Sequence, residues 1–304
     1  MGIRRGRTWI AAIAALVCVS VAAPSAHAAN PLFWGQNGIL FARTINPGTM
    51  AANTDVWRMR ADGTHQRRLT TGLDEEADAV WSPNGKKIAY TDYGPGNDTI
   101  YVMNADGSNA HPVTSNSTTA LEPAWSPDGK RLAYRGFAGT VNYQIGVVKA
   151  NGDNPHLITS DPRNHWTPSW TADGKRILYA AAPSGYDDLY SVRPDGTGKR
   201  RLTKTAHWDE TAPVESPDGN HLAFRLFGDT QPDLQIAIAD TDAKHRRLVT
   251  NDAADHYDPA WSPSGESLSY LANPSGQYDV FTIQRDSTHR HNLTKSTTPE
   301  FFRD

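Results

Sequence analysis

The chain has 304 residues, 30 Lys+Arg against 33 Asp+Glu, a formal net charge of −3, and a single cysteine. A balance this close to neutral and slightly acidic excludes nucleic acid or an anionic membrane as the main partner. One thiol excludes a disulfide framework and a thiolate zinc site.

The chain opens on an export signal. Arg4, Arg5 and Arg7 form a basic start, Trp9 to Val21 is apolar, and Ala26-His27-Ala28 fits a small-x-small cleavage site. The apolar run is too short for a membrane anchor. Residues 1–28 are therefore expected to be removed after Ala28, leaving residues 29–304 as a single exported domain with no membrane span. Cys18 leaves with the leader, as do three arginines, so 27 Lys+Arg then face 33 Asp+Glu.

From here the chain repeats. Ala79–Tyr90 reads AVWSPNGKKIAY, and the pattern returns at Pro123–Tyr134, Pro168–Tyr179, Pro213–Phe224 and Pro259–Tyr270. The anchor position holds Trp81, Trp125, Trp170, Glu215 and Trp261, at steps of 44, 45, 45 and 46 residues. Strand-like segments at this period predict a β-propeller with one four-stranded blade per repeat. Within each copy, Pro presets φ, Asp bonds its own backbone and Gly takes positive φ, so Asp128 and its counterparts read as turn residues. Glu215 breaks the anchor column, and if buried it needs a donor.

About 20 residues on, each repeat shows an aromatic-led strand, a turn that is usually Asp-Gly, and a closing threonine. Thr70, Thr114, Thr159, Thr203, Thr250 and Thr294 make six closings, hence six blades. The tail from Pro299 to Asp304 lines up with Pro123 to Asp128. It is expected to close the ring by pairing Glu300–Phe302 into blade one, in competition with Leu32-Phe33-Trp34. Asp55, Asp98, Asp188, Asp233 and Asp279 precede the third strands, where they read as turn caps or as an acidic rim.

The combination of WSPDGK, an aliphatic-x-aromatic strand, Tyr-x-Met-x-x-Asp-Gly and RLT resembles the repeat of TolB-type propellers. Trp125 to Lys130 and Tyr101 to Gly107 match best. The resemblance implies an all-β, six-bladed propeller of four-stranded antiparallel blades in an exported protein, often a docking surface for other proteins. The α/β domain that precedes the propeller in TolB itself has no counterpart here, so a role in its envelope complex does not carry over.

Binding is expected on the variable loops that join blades and that join second to third strands. They contain a recurrence: Asn164-His165-Trp166, Ala206-His207-Trp208-Asp209 and Asp255-His256-Tyr257-Asp258. Three readings are open. The pairs wedge adjacent blades, the aromatic faces stack on a sugar or peptide side chain, or His165, His207 and His256 hold a divalent metal. The favoured function is a non-catalytic module, monomeric and without a cofactor, that binds a protein or glycan in the cell envelope or outside the cell. His165, Trp166, His207, Trp208, Asp209, His256, Tyr257 and Asp258 are its candidate contacts. The alternative is a metal-dependent carbohydrate lyase using the three histidines, by analogy with propeller lyases of pectin oligosaccharides. Hydrolase motifs such as G-x-S-x-G and H-E-x-x-H are missing.

Overall fold

The computed structural model describes residues 38–294, apart from 46–52, 73, 116–117, 138, 140–141, 184, 230 and 275–277. The predicted signal and both candidates for the ring-closing inner strand, 32–34 and 300–302, lie outside the described residues.

The architecture is the predicted one, an all-β six-bladed propeller. Blade one shows three described strands, Ile39–Ile45, Asn53–Met59 and Arg67–Arg68. Blades two to six are four-stranded antiparallel sheets in simple chain order, opening on Glu76–Trp81, Thr119–Trp125, His165–Trp170, Trp208–Glu215 and His256–Trp261. Among the described residues there is no helix. The fourth strands are two residues long and rich in charge or imidazole, which blunts the outer edges against pairing with other chains.

Three repeated devices explain the pattern. In the first turn of blade three, Asp128 Oδ1 accepts from Ser126 Oγ at 2.6 Å and from Lys130 N at 3.0 Å, while Gly129 takes φ +66°. The Asp is thus a turn residue, as the sequence suggested. Each closing threonine accepts, through Oγ1, the N–H of the third strand: Val56, Ile100, Ile145, Leu189 and Ile236 at 2.9 Å, and Val280 at 3.1 Å. Each anchor indole donates to the previous blade, Trp81 to Gly38 O, Trp125 to Val80 O, Trp170 to Ala124 O and Trp261 to Val214 O, at 3.1 to 3.2 Å. Glu215 cannot donate. It instead accepts the N–H of Ala172 at 2.6 Å, which is the donor its half-buried carboxylate needs.

Apolar clusters fill every seam between blades. One holds Leu271 and Val280 of blade six against Ile39, Phe41 and Met59 of blade one, so the ring closes through a hydrophobic seam. Asp55, Asp188 and Asp279 are buried and bind fourth-strand partners, Arg68 at 2.8 Å, Arg201, and Asn292 at 2.8 Å. They tie strands together and form no rim.

Candidate functional site: the channel mouth

The first strands of blades two to six share one irregularity. Pairing with the second strand slips between Ala77 and Val80, Leu121 and Ala124, Trp166 and Ser169, Thr211 and Val214, and Tyr257 and Ala260. Each slip is a β-bulge three residues before the anchor. The bulged residues are Asp78, Glu122, Thr167, Ala212 and Asp258, with φ between 48° and 54°. Left-handed backbone costs a non-glycine residue roughly 1–2 kcal/mol. A bulge re-aims its side chain, and in blades three and four it aims toward the next first strand. Glu122 Oε2 accepts the N–H of Thr167 at 2.7 Å, and Thr167 Oγ1 accepts the N–H of Ala212 at 3.0 Å. Two consecutive links thus join the first strands of blades three, four and five.

Three of the five bulge residues are acids. Burial pushes the carboxyl of Asp78 up to about 6, and Glu122 beside it adds to the rise. Tyr93 OH at 2.6 Å and Thr91 Oγ1 at 2.9 Å donate to its Oδ2, while Oδ1 has no hydrogen-bond partner. Burial pushes Asp258 up to about 7 against the pull of Arg225, with Asp78 and Glu122 adding their charge, and its Oδ2 is also unpartnered. Glu122 is paired with Arg135 at 2.9 Å. Further out, burial and the neighbouring Asp209 push Asp187 up to about 7, and the Asp187 N–H donates to Asp209 at 2.6 Å.

Two arginines and several rings complete the mouth. The Arg135 guanidinium lies 4.6 Å from the Tyr143 ring and 5.1 Å from Trp166. That of Arg225 lies 5.3 Å from Tyr257, and its Nε donates to Thr211 Oγ1 at 2.9 Å. Tyr257 meets Tyr278 edge-on at 5.4 Å.

The predicted contact residues divide. Trp166, Tyr257 and Asp258 stand at the mouth, and Asp209 adjoins it through Asp187. Trp208 is half-buried, with Arg246 5.2 Å from its ring. His165 and His256 are fully buried. Nδ1 of His165 meets Thr159 Oγ1 at 2.8 Å, Nε2 meets Asp161 at 3.2 Å, and burial drives the imidazole down to about 4. His256 donates through Nδ1 to Leu234 O at 3.1 Å and rests on Tyr270. His207 alone is exposed, bonded to Asp229 at 3.0 Å with Tyr186 edge-on. The three imidazoles do not converge. Among the described residues no group of three or more His, Cys, Asp or Glu is placed to hold a metal.

Sequence reasoning missed Asp78, Glu122, Asp187, Arg135 and Arg225. The signal was present in the column three residues before the anchor, which holds Asp, Glu, Thr, Ala and Asp in the midst of a strand.

The TolB beta propeller domain family matches residues 9–211. This chain belongs to that family. Two proteins described as TolB homologues, from Chlorobium luteolum and Chlorobaculum tepidum, are each 30% identical over 113 and 112 residues, 37% of this chain and 25% of theirs. The match therefore spans a quarter of the relatives' length. Among solved structures, TolB from Acinetobacter baumannii superposes with a TM-score of 0.72 at 21% identity, over 83% of this chain and 63% of that one. A putative TolB from Agrobacterium tumefaciens gives 0.66 at 22%, over 75% and 84%. An oligogalacturonate lyase in complex with manganese gives 0.62 at 14%, over 86% and 75%. At these identities the likeness is one of fold.

Proposed function

We propose that this TolB-like propeller is an exported, non-catalytic binding module that receives a basic segment of a partner protein at the channel mouth. The observation that carries this is the bulge ring. Asp78 and Asp258 each hold a buried carboxylate oxygen with no partner, on backbone that costs free energy to maintain. A cationic side chain would supply the missing donors and offset the mutual repulsion of the three acids. The half-buried aromatics around it, Trp166 and Tyr257, suit a peptide contact. Their arginine neighbours already cover part of the rings, which favours protein over glycan.

Partner capture from a cell-envelope extract tests the reading, with wild type, Asp258→Asn and Trp166→Ala as baits. The expected result is a protein held by wild type and weakened at least about tenfold by each variant. A partner held equally by all three removes the mouth from the site. Export is tested separately by the mass of the protein recovered outside the cytoplasm, which should begin at Ala29.

A further inference from the structure

We infer that the seam between blades four and five, at the end of the ring bearing the Ser-Pro-Asp-Gly turns, carries a second site, one that binds a phosphate group. This site is independent of the channel mouth.

In blades three and five, the residue that opens the second strand meets the anchor tryptophan of the next blade. The guanidinium of Arg131 lies 4.8 Å from the Trp170 ring, and His221 stacks on Trp261 at 6.3 Å. Arg176 holds the same place in blade four, but the next anchor is Glu215. With no indole to lie on, Arg176 turns to its own blade. Its Nε donates to Ser191 Oγ at 3.0 Å, and Nη2 donates to Ser191 O at 3.1 Å and to Gly198 O.

Two more arginines share that face. One step beyond the ladder pair Ile177 with Val192 come Arg176 and Arg193, opposite each other. Arg200 pairs with Ser191, the residue that holds Arg176. Alternation puts all three on the side of Leu178 and Leu189, which pack against Leu222 and Phe224 of blade five. A Cβ on Gly198 would sit 3.0 Å from Arg193 Nη1, so the guanidinia of Arg176 and Arg193 both lie against that glycine.

The cluster is only weakly offset: Asp173 acts on Arg176, and Asp195 feels Arg193, without an ion pair in either case. Arg68, Arg135, Arg163, Arg201, Arg246 and Arg290 each have a carboxylate within ion-pair distance. Among the described residues, Arg176, Arg193 and Arg200 have none. Three acids of these two blades already accept hydrogen bonds. Asp173 caps its own turn, Asp195 accepts from Thr197, and Glu215 accepts from Ala172. Like charges facing each other across a ladder are destabilising. Burial, and then Arg200 and Arg193, hold Arg176 below the usual arginine range. Two guanidinia at one glycine, with the charge of Arg200 acting beside them, suit a phosphate, which accepts bidentate hydrogen bonds from arginine.

The phosphate could belong to a soluble phosphorylated ligand or to a lipid headgroup, and two probes separate these. Inorganic phosphate titrated into the mature protein at low ionic strength should bind with a dissociation constant of about 1 mM, as for a small site of a few charge-assisted bonds. Arg176→Gln/Arg200→Gln should weaken it at least about tenfold, or 1.4 kcal/mol. Loss in the same variant of retention on phosphatidylglycerol vesicles in phosphatidylcholine identifies a headgroup site, while vesicle retention absent in wild type identifies a soluble ligand. Arg193→Gln, an exposed single change, should also weaken phosphate and serves if the double variant unfolds. Glu215→Trp should draw Arg176 onto the restored indole and reduce binding while raising the melting temperature. No phosphate binding by wild type, or binding unchanged in the arginine variants, overturns the site.

Discussion

The two ends of the ring are built on different terms. At the turn end, blades repeat one solution: Asp128, Asp173 and Asp218 each accept a side-chain hydroxyl and a backbone N–H, and the carboxyl stays below its ordinary range. At the mouth, blades repeat one backbone bulge but fill it with Asp, Glu, Thr, Ala and Asp, and two of those acids are pushed up with an oxygen left over. The turn end satisfies its polar groups, and the mouth does not. The proposed binding at the mouth rests on that difference, since unsatisfied polar groups on a rigid scaffold cost stability. The exception at the turn end is the seam of blades four and five, where Glu215 replaces the anchor indole and Arg176, Arg193 and Arg200 have no carboxylate within ion-pair distance.

The largest effect should come from the satisfied end. Trp170 is buried, bonded to Ala124 O and packed under Arg131. Trp170→Ala is expected to cost about 3–5 kcal/mol in urea or thermal unfolding. Glu215→Ala, at the same position of the next blade, should cost a fraction of that. Equal costs would show that the anchor column carries no special load.

Asp258→Asn tests the other end. The folded carboxyl titrates at about 7, against about 4 unfolded. Its contribution is therefore fully present below about pH 4 and is lost as pH rises through 7. Asparagine keeps the shape and tolerates left-handed backbone. The variant should match wild type near pH 4 and exceed it by up to about 4 kcal/mol at pH 8. A gap that does not change with pH would mean that Asp258 is not held protonated by its surroundings.

The fold was legible because its devices are local. The Ser-Pro-Asp-Gly turns and the closing threonines act within one repeat and the anchor tryptophans about one repeat away, so the period exposes them. The mouth was half legible. Trp166, Tyr257, Asp209 and Asp258 were singled out because they adjoin a visible recurrence of histidines. Asp78 and Glu122 were not, because a bulge is a pairing event and leaves no residue type behind: Thr167 and Ala212 occupy the same backbone. Arg135 and Arg225 follow Tyr134 and Phe224 on strands whose outward positions read as solvent, yet Arg135 is drawn inward by Glu122 and the rings of Tyr143 and Trp166.

Ala212→Gly should have a smaller effect. Ala212 has φ 49°, and its methyl makes no hydrogen bond, so the position carries left-handed strain with little in return. Glycine relieves that strain and adds freedom to the unfolded chain, and the balance should be a gain of about 0.5–1 kcal/mol. Thr167→Gly should show no such gain, since it removes the acceptor for the Ala212 N–H.

The smallest effect belongs to the motif that looked most functional. His165 and His207 occur in matching sequence, but the first is sealed between Thr159, Asp161 and Tyr179, and the second is 69% exposed beside an Asp229 that is 61% exposed. An exposed pair in water gains little, because side-chain ordering and solvent screening offset the attraction. His207→Ala should therefore stay within about 0.5 kcal/mol of wild type, whereas His165→Ala, which leaves a cavity and strands its buried partners, should cost about 2–4 kcal/mol. Unfolding curves at low and high salt separate the two, since only the His207 pair should respond to salt. Matching losses would mean that His207 wedges its seam as the buried pair do, and that the loop end of blade five is closed. A loss confined to His165 leaves His207, with Tyr186 and Asp229, as an accessible polar group on the face that carries the mouth.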